Sequence, residues 1–226
     1  GASLKDLGAF QGHGSLADPP QTLVSWAVMM QGGIQINIHG QRFSNEHGGY
    51  SEQAAKVLSQ PTQYAWNVYD ERIHDYLTRF EDYQNAMTTR SVKTFEALED
   101  MARELNMELA VLQATFSEMA SLAGSGQSDR FGRTFAAQDL LKPPYFAIRV
   151  TGALFHTQGG LEITPDGRVL DETGGVLPNL LAAGGAARGV SGSNDTGYLS
   201  GNGLLHAIVM GGIAGRTAAA MLAYPR

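Results

Sequence analysis

The sequence predicts an α/β fold on three observations: an alternating run near the start, helical spacing through the middle, and a strand–glycine loop–helix pattern at the end. In Gly33-Ile34-Gln35-Ile36-Asn37-Ile38 apolar and polar residues alternate and stop at the turn His39-Gly40, as in a half-buried strand. Residues 64–124 read as largely helical. Phe95, Leu98, Ala102 and Leu105 form one stripe, and Leu109, Leu112, Phe116 and Met119 another. Asn106 stands where it would cap the second helix, and both stripes read as core packing. Residues 147–150 and 161–163 are strand candidates, followed by the turn Thr164-Pro165-Asp166-Gly167. Residues 180–183 look like a buried strand ending at Gly184-Gly185, and residues 203–222 like a small-residue helix able to lie close to a sheet.

Composition bounds the function. The 226 residues suffice for one large domain or two small ones, with 43% hydrophobic and 17% charged residues, an ordinary globular balance. A net charge of −6 leaves no basic field to attract nucleic acid. Without cysteine there is no disulfide, thiolate metal site or thiol nucleophile, and either side of a membrane suits such a chain. No uninterrupted apolar run reaches the roughly 18 residues of a membrane helix, so no membrane span is expected, and no signal sequence opens the chain. Residues 1–8 read as a helix end, with Leu4 and Leu7 apolar and Gly8 as the stop. With no initiator methionine, the chain is expected to begin partway through a longer reading frame, and a cytoplasmic location is expected.

Familiar motifs are missing. There is no G-x-G-x-x-G, no phosphate-cradling G-x-x-x-x-G-K-[ST], no H-E-x-x-H and no G-x-S-x-G. The six histidines lack ligand spacing, so no metal is expected. What remains is the tail, residues 180–205, a strand, a glycine loop and a helix start. A helix N-terminus offers unpaired N–H groups and partial positive charge, which suit an anion or an electron-rich ring oxygen.

These residues resemble the closing segment of the fumarate reductase-type flavoproteins, whose L-x-A-A-G-E strand precedes a G-G-N-A helix start. The matching stretches are residues 181–185 and Ser200-Gly201-Asn202-Gly203. Gly185 stands where the family has a glutamate that touches the flavin ribityl chain. Phe155-His156-Thr157-Gln158-Gly159-Gly160 resembles the H-T-M-G-G segment that links the mobile capping domain to the flavin domain. Gln11-Gly12-His13 resembles Q-x-H, and Gly40-Gln41-Arg42-Phe43-Ser44-Asn45-Glu46 resembles G-x-R-F-x-N-E. Arg42 and Glu46 read as a structural ion pair or backbone clamp.

The resemblance implies FAD as cofactor, with residues 1–8 closing one segment of the FAD domain, 9–156 forming an α+β capping domain and 157–226 returning to the FAD domain. The N-terminal FAD half, with its fingerprint, would lie outside this chain and be required as a partner. It implies Gly185, Gly201, Asn202, Gly203 and Leu204 as cofactor-binding residues. In fumarate reductases the proton donor is an arginine eight residues after the R of R-F-x-N-E, and here that position is Tyr50. The threonine–glutamate pair and second arginine appear as Ser25, Trp26 and Met29, and the clamping arginine of the final loop as Tyr198. A site without arginine's bidentate fork is poorly suited to two carboxylates.

The pattern is closer to the 3-ketosteroid dehydrogenase branch, and a tricarballylate dehydrogenase-like relationship is compatible with it. That likeness implies Tyr50, Tyr198 and His156 as catalytic residues, with Tyr50 the proton-abstracting base, and His13, Trp26 and Gly197 as substrate-binding residues. The expected reaction removes hydrogen from a C–C bond beside a carbonyl in a fairly apolar small-molecule ketone such as a ketosteroid, with hydride passing to flavin. Two alternatives stand beside it: reduction of an activated alkene such as fumarate or urocanate, and a non-catalytic cap that holds no cofactor.

Overall fold

The computed structural model describes residues 1–223. Along the chain come β1 (Leu4–Lys5), β2 (Phe10–Ala17), α1 (Ala27–Met30), β3 (Ile34–Ile36), α2 (Tyr50–Leu58), β4 (Tyr64–Asp70), α3 (Glu71–Leu77) and α4 (Glu81–Thr88). Then follow β5 (Val92–Phe95), α5 (Leu98–Glu104), α6 (Leu109–Leu122), β6 (Tyr145–Thr157), β7 (Gly160–Leu161), β8 (Arg168–Leu170), β9 (Val176–Leu181) and α7 (Asn202–Ala223). The mixed α/β content is the one the sequence predicts. The chain divides into two compact units, His13–Ala153 and a second made of Gly1–Gly12 with Leu154–Arg226.

In the first unit the sheet runs β2-β6-β4-β3, with β5 pairing β6 off that path. β4 (Tyr-Ala-Trp-Asn-Val-Tyr-Asp) is buried along nearly its whole length and pairs antiparallel with β3 and β6. It corrects the reading of residues 64–124 as largely helical: a strand covered on both faces carries no alternation to reveal it. Phe95 likewise ends β5 and does not open a helical stripe. Asn106 does not cap α6, whose N-cap is Glu108. It takes a left-handed φ of 54° in the link from α5, a conformation its short polar side chain tolerates.

Two buried polar groups organise this unit. The first is the carboxylate of Glu46, fully buried, which accepts from Arg42 Nη2 at 2.6 Å, Arg133 Nη1 at 2.9 Å and the backbone N–H of Gln35 at 3.0 Å. Arg42 also pairs with Asp129, so the expected Arg42–Glu46 pair is present within a larger cluster. Burial alone would push the Glu46 carboxyl up. The Arg42 hydrogen bonds, the charges of Arg42 and Arg133 and the Gln35 N–H outweigh burial and hold it below the ordinary carboxylate value.

The second is an amide network. Gln35 and Asn67 face each other across β3 and β4. Gln35 Nε2 donates to Asn67 Oδ1 at 2.8 Å and to the Gly14 carbonyl at 2.7 Å. Asn67 Nδ2 donates to Ser15 Oγ at 2.6 Å, and Gln53 Nε2 of α2 donates to Gln35 Oε1 at 2.8 Å. α2 lies so close to β2 that a Cβ on Gly14 would sit 2.8 Å from Gln53 Cβ, so only glycine fits.

In the second unit β1 pairs antiparallel with β7, joining Leu4 to Leu161. Residues 1–8 therefore hold a short strand, where the sequence reading expected a helix end. β8 and β9 form an antiparallel pair, and the turn at residues 164–167 closes with Gly167 N–H on the Thr164 carbonyl at 2.9 Å. β9 is largely exposed, contrary to the buried strand expected there, because β8 is its strand partner among the described residues. α7 matches the predicted small-residue helix and exposes Leu204, Leu205, Ile208 and Leu222. By length and composition alone α7 is apolar enough to cross a membrane, although no uninterrupted run was visible, since Asn202, His206, Arg216 and Thr217 interrupt it.

Two consequences are measurable. Glu46→Gln leaves two buried arginines undercompensated and should cost about 3–5 kcal/mol in urea unfolding. Because the native carboxyl is lowered, its contribution is present above about pH 4.3, the unfolded value, and is lost as pH falls through the lower native value. The stability gap between wild type and Glu46→Gln should therefore narrow on acidification below that point. Gly14→Ala should separate β2 from α2 and unfold the protein at lower urea. An unchanged midpoint would contradict the close packing.

Candidate functional site

Each unit gathers its own group of predicted residues. In the unit His13–Ala153, β2 delivers His13, the segment before α1 delivers Trp26, and α2 begins at Tyr50. Gly49, at φ 115°, makes the turn into α2 that only glycine readily accepts. The His13 ring packs edge-on to Trp26, with centroids 5.7 Å apart, and tilted against Tyr50 at 5.2 Å. The Ser15 backbone N–H donates to His13 Nδ1 at 3.2 Å, so the neutral ring carries its proton on Nε2. Burial pulls His13 down to about 4, which keeps the ring uncharged near neutral pH. Ser25 Oγ accepts from the Ala27 N–H, and Met29 is fully buried.

In the other unit the centre is Asn202, the first residue of α7 and only 5% exposed. Its Nδ2 donates to Gln158 Oε1 at 2.9 Å and to Ser191 Oγ at 2.6 Å, while its Oδ1 is buried without a protein partner. With its carbonyl taken by Asn202, Gln158 turns its Nε2 to His156 Nδ1, 2.9 Å away. His156 Nδ1 also lies 3.2 Å from the Thr157 carbonyl, a contact that pairs with the proton on Nδ1 instead. Its ring stands edge-on to Tyr198, with centroids 6.1 Å apart. A Cβ on Gly203 would come within 2.8 Å of the His156 ring, so any larger residue there would displace that ring. The loop carrying Tyr198 is closed by the Gly192 N–H on the Gly197 carbonyl at 3.0 Å, with Gly197 at φ 82°.

The predicted residues thus fall in two groups, His13, Trp26 and Tyr50 in one unit, and His156, Gly197, Tyr198, Gly201, Asn202 and Gly203 in the other. Gly201 is exposed with φ 79°, and its carbonyl accepts from Leu205 to start α7. Leu204 is 77% exposed, and Gly185 borders open space, so nothing within this chain demands glycine where the resembling family has glutamate. Sequence reasoning missed Gln158, which ties Asn202 to His156. Its signal was the departure of His156-Thr157-Gln158-Gly159-Gly160 from H-T-M-G-G, a polar amide in place of a thioether. It also missed Arg133 and Gln35, whose roles depend on partners about a hundred and about thirty residues away.

Comparison with known proteins places these groups in a family. The FAD binding domain model matches residues 8–204. A probable fumarate reductase of Shewanella frigidimarina is 30% identical over 97% of this chain and 36% of its own length. The 4-oxocyclohex-2-ene-1-carboxylate 5-dehydrogenase of Sinomonas cyclohexanicum is 27% identical over 85% of this chain and 37% of its own. Among solved structures, the open conformation of a flavocytochrome c3 fumarate reductase superposes with a TM-score of 0.70 at 28% identity, covering 97% of this chain and 38% of that one. The 3-ketosteroid Δ1-dehydrogenase of Sterolibacterium denitrificans gives 0.76 at 23% identity, covering 97% and 45%, a likeness of fold. The chain spans little more than a third of the length of these two curated relatives. Since the family model covers most of its residues, this chain belongs to the FAD binding domain family.

Proposed function

We propose that this chain forms the capping domain and C-terminal FAD-domain segment of an FAD-dependent oxidoreductase that dehydrogenates a C–C bond beside the carbonyl of a fairly apolar ketone. The observation that carries this reading is the ring cluster of His13, Trp26 and Tyr50. The positions that hold arginines in fumarate reductases carry Tyr50, the buried Met29 and Tyr198, and His13 stays neutral. Uncharged donors suit a ketone better than two carboxylates, for which charge-assisted forks are the stronger partners.

The residues present fit FAD. The start of α7 combines helix N–H groups, the buried unpartnered Oδ1 of Asn202, and Gly201 and Gly203, which keep side chains out of the approach. We assign Gly201, Asn202 and Gly203 to the isoalloxazine edge, with Gly185 and Leu204 bordering the cofactor. Bound there, FAD supplies an acceptor for hydride. The remaining chemistry belongs to side chains: Tyr50, acting as its phenolate, accepts the proton from the carbon beside the carbonyl and becomes the neutral phenol, and Tyr198 with the Gly197 N–H polarises the ketone oxygen. His156, held beside Gln158, and His13, held by the Ser15 N–H, border the substrate on this reading.

On this reading residues 9–156 are the capping domain, and residues 1–8 and 157–226 belong to the FAD domain. A further polypeptide segment completes the flavin site. The apolar residues that α7 exposes are what such a segment would cover. A second reading, reduction of an activated alkene, is favoured by the fumarate reductases among the relatives. Loss of the arginines weighs against fumarate itself.

Tyr50→Phe, made in the polypeptide that carries this chain, should lower kcat on a ketone substrate by about 10²–10⁴-fold while flavin content stays at the wild-type level. Turnover near wild type would remove Tyr50 from the mechanism. Asn202→Leu should lower the flavin retained through purification, read from visible absorbance, and full retention would argue against its place at the cofactor.

A further inference from the structure

Trp26 carries a buried hydrogen-bond donor without a partner. Its indole Nε1 has no acceptor within reach although it is shielded from solvent. An indole nitrogen only donates, and buried donors left unmatched are rare because desolvating them is costly. The nearest polar ring, His13, cannot serve. Its Nδ1 lone pair is taken by the Ser15 N–H, and its Nε2 then bears a proton and is itself a donor. Trp26 therefore presents an unmatched, uncharged N–H beside the ring of His13, which packs in turn on Tyr50.

We propose that Trp26 Nε1–H binds an uncharged oxygen of the substrate, a carbonyl or hydroxyl distinct from the reacting ketone, and so selects ketones that carry a second oxygen. This rests on the reading of the His13–Trp26–Tyr50 cluster as a substrate site. It goes beyond that reading by naming the atom and the functional group it recognises. The choice of a neutral acceptor follows from the cluster, whose rings bring no fixed positive charge beside the Trp26 donor to pair with a carboxylate.

The test uses the FAD-loaded polypeptide that carries this chain, labelled with ¹⁵N. The chain's two tryptophans, Trp26 and Trp66, give separable indole signals, and the one lost in Trp26→Phe is that of Trp26. Three probes are compared: 4-androstene-3,17-dione, its 17-deoxy counterpart and fumarate. The diketone should move the Trp26 N–H signal downfield, and Trp26→Phe should weaken its binding about 3- to 10-fold. Binding of the deoxy counterpart should be unchanged. A Trp26 signal that stays still while the diketone binds would overturn the proposal, as would equal weakening of both steroids, which would mean ring packing only. A shift with fumarate and none with either ketone would overturn both the uncharged acceptor and the ketone reading, leaving a donor to carboxylate. Failure of all three to bind with flavin in place would overturn the assignment of this cluster as a substrate site, and the proposal with it.

Discussion

The carboxylate of Glu46 is the group on which the unit His13–Ala153 depends. It has no contact with solvent, yet it is held ionised by two arginines and by a backbone N–H of β3. Through Arg42 it reaches Asp129, through Arg133 the carbonyl of Gly33, and through Gln35 the amide network that joins β2, β3, β4 and α2. β2 carries His13 and α2 begins at Tyr50, so the ring cluster inherits its geometry from charges it never touches. A buried carboxylate of this kind is expensive to desolvate and is retained only with its partners complete. Phe135, with Arg42 and Arg133 packed over its ring at 4.9 and 4.6 Å, adds cation–π attraction to the same cluster.

The two histidines are handled alike in the two units. In each a donor reaches Nδ1, the Ser15 N–H for His13 and the Gln158 amide for His156, and His156 Nδ1 also meets the Thr157 carbonyl at 3.2 Å. Burial keeps His13 uncharged near neutral pH, and on the proposed reading the acid–base role falls to Tyr50.

Much of this was legible in the sequence where physics is local. The small-residue helix at the end appears as read, and the alternation at residues 33–38 marks a real strand, β3, which spans only Ile34–Ile36 and is fully buried where a half-buried strand was expected. The pairing of Arg42 with Glu46, four residues apart, was visible in the motif itself. What escaped depends on distant partners or on burial. β4 hid because both its faces are covered, and β1 because two residues paired to β7 leave no periodic trace. Gly14 looked like any glycine until α2 was seen to press on it. Gln158 was passed over because its role exists only once Asn202, more than forty residues later, folds back to meet it.

The central claim is that an uncharged ring cluster and a tyrosine act on a ketone in a flavin-bearing protein. The most direct test is anaerobic titration of the FAD-loaded polypeptide with a saturated 3-ketosteroid, following the visible flavin absorbance. The account predicts bleaching by the ketone. Absence of bleaching by any ketone, together with reoxidation of chemically reduced flavin by fumarate or urocanate, would contradict it and identify an alkene reductase.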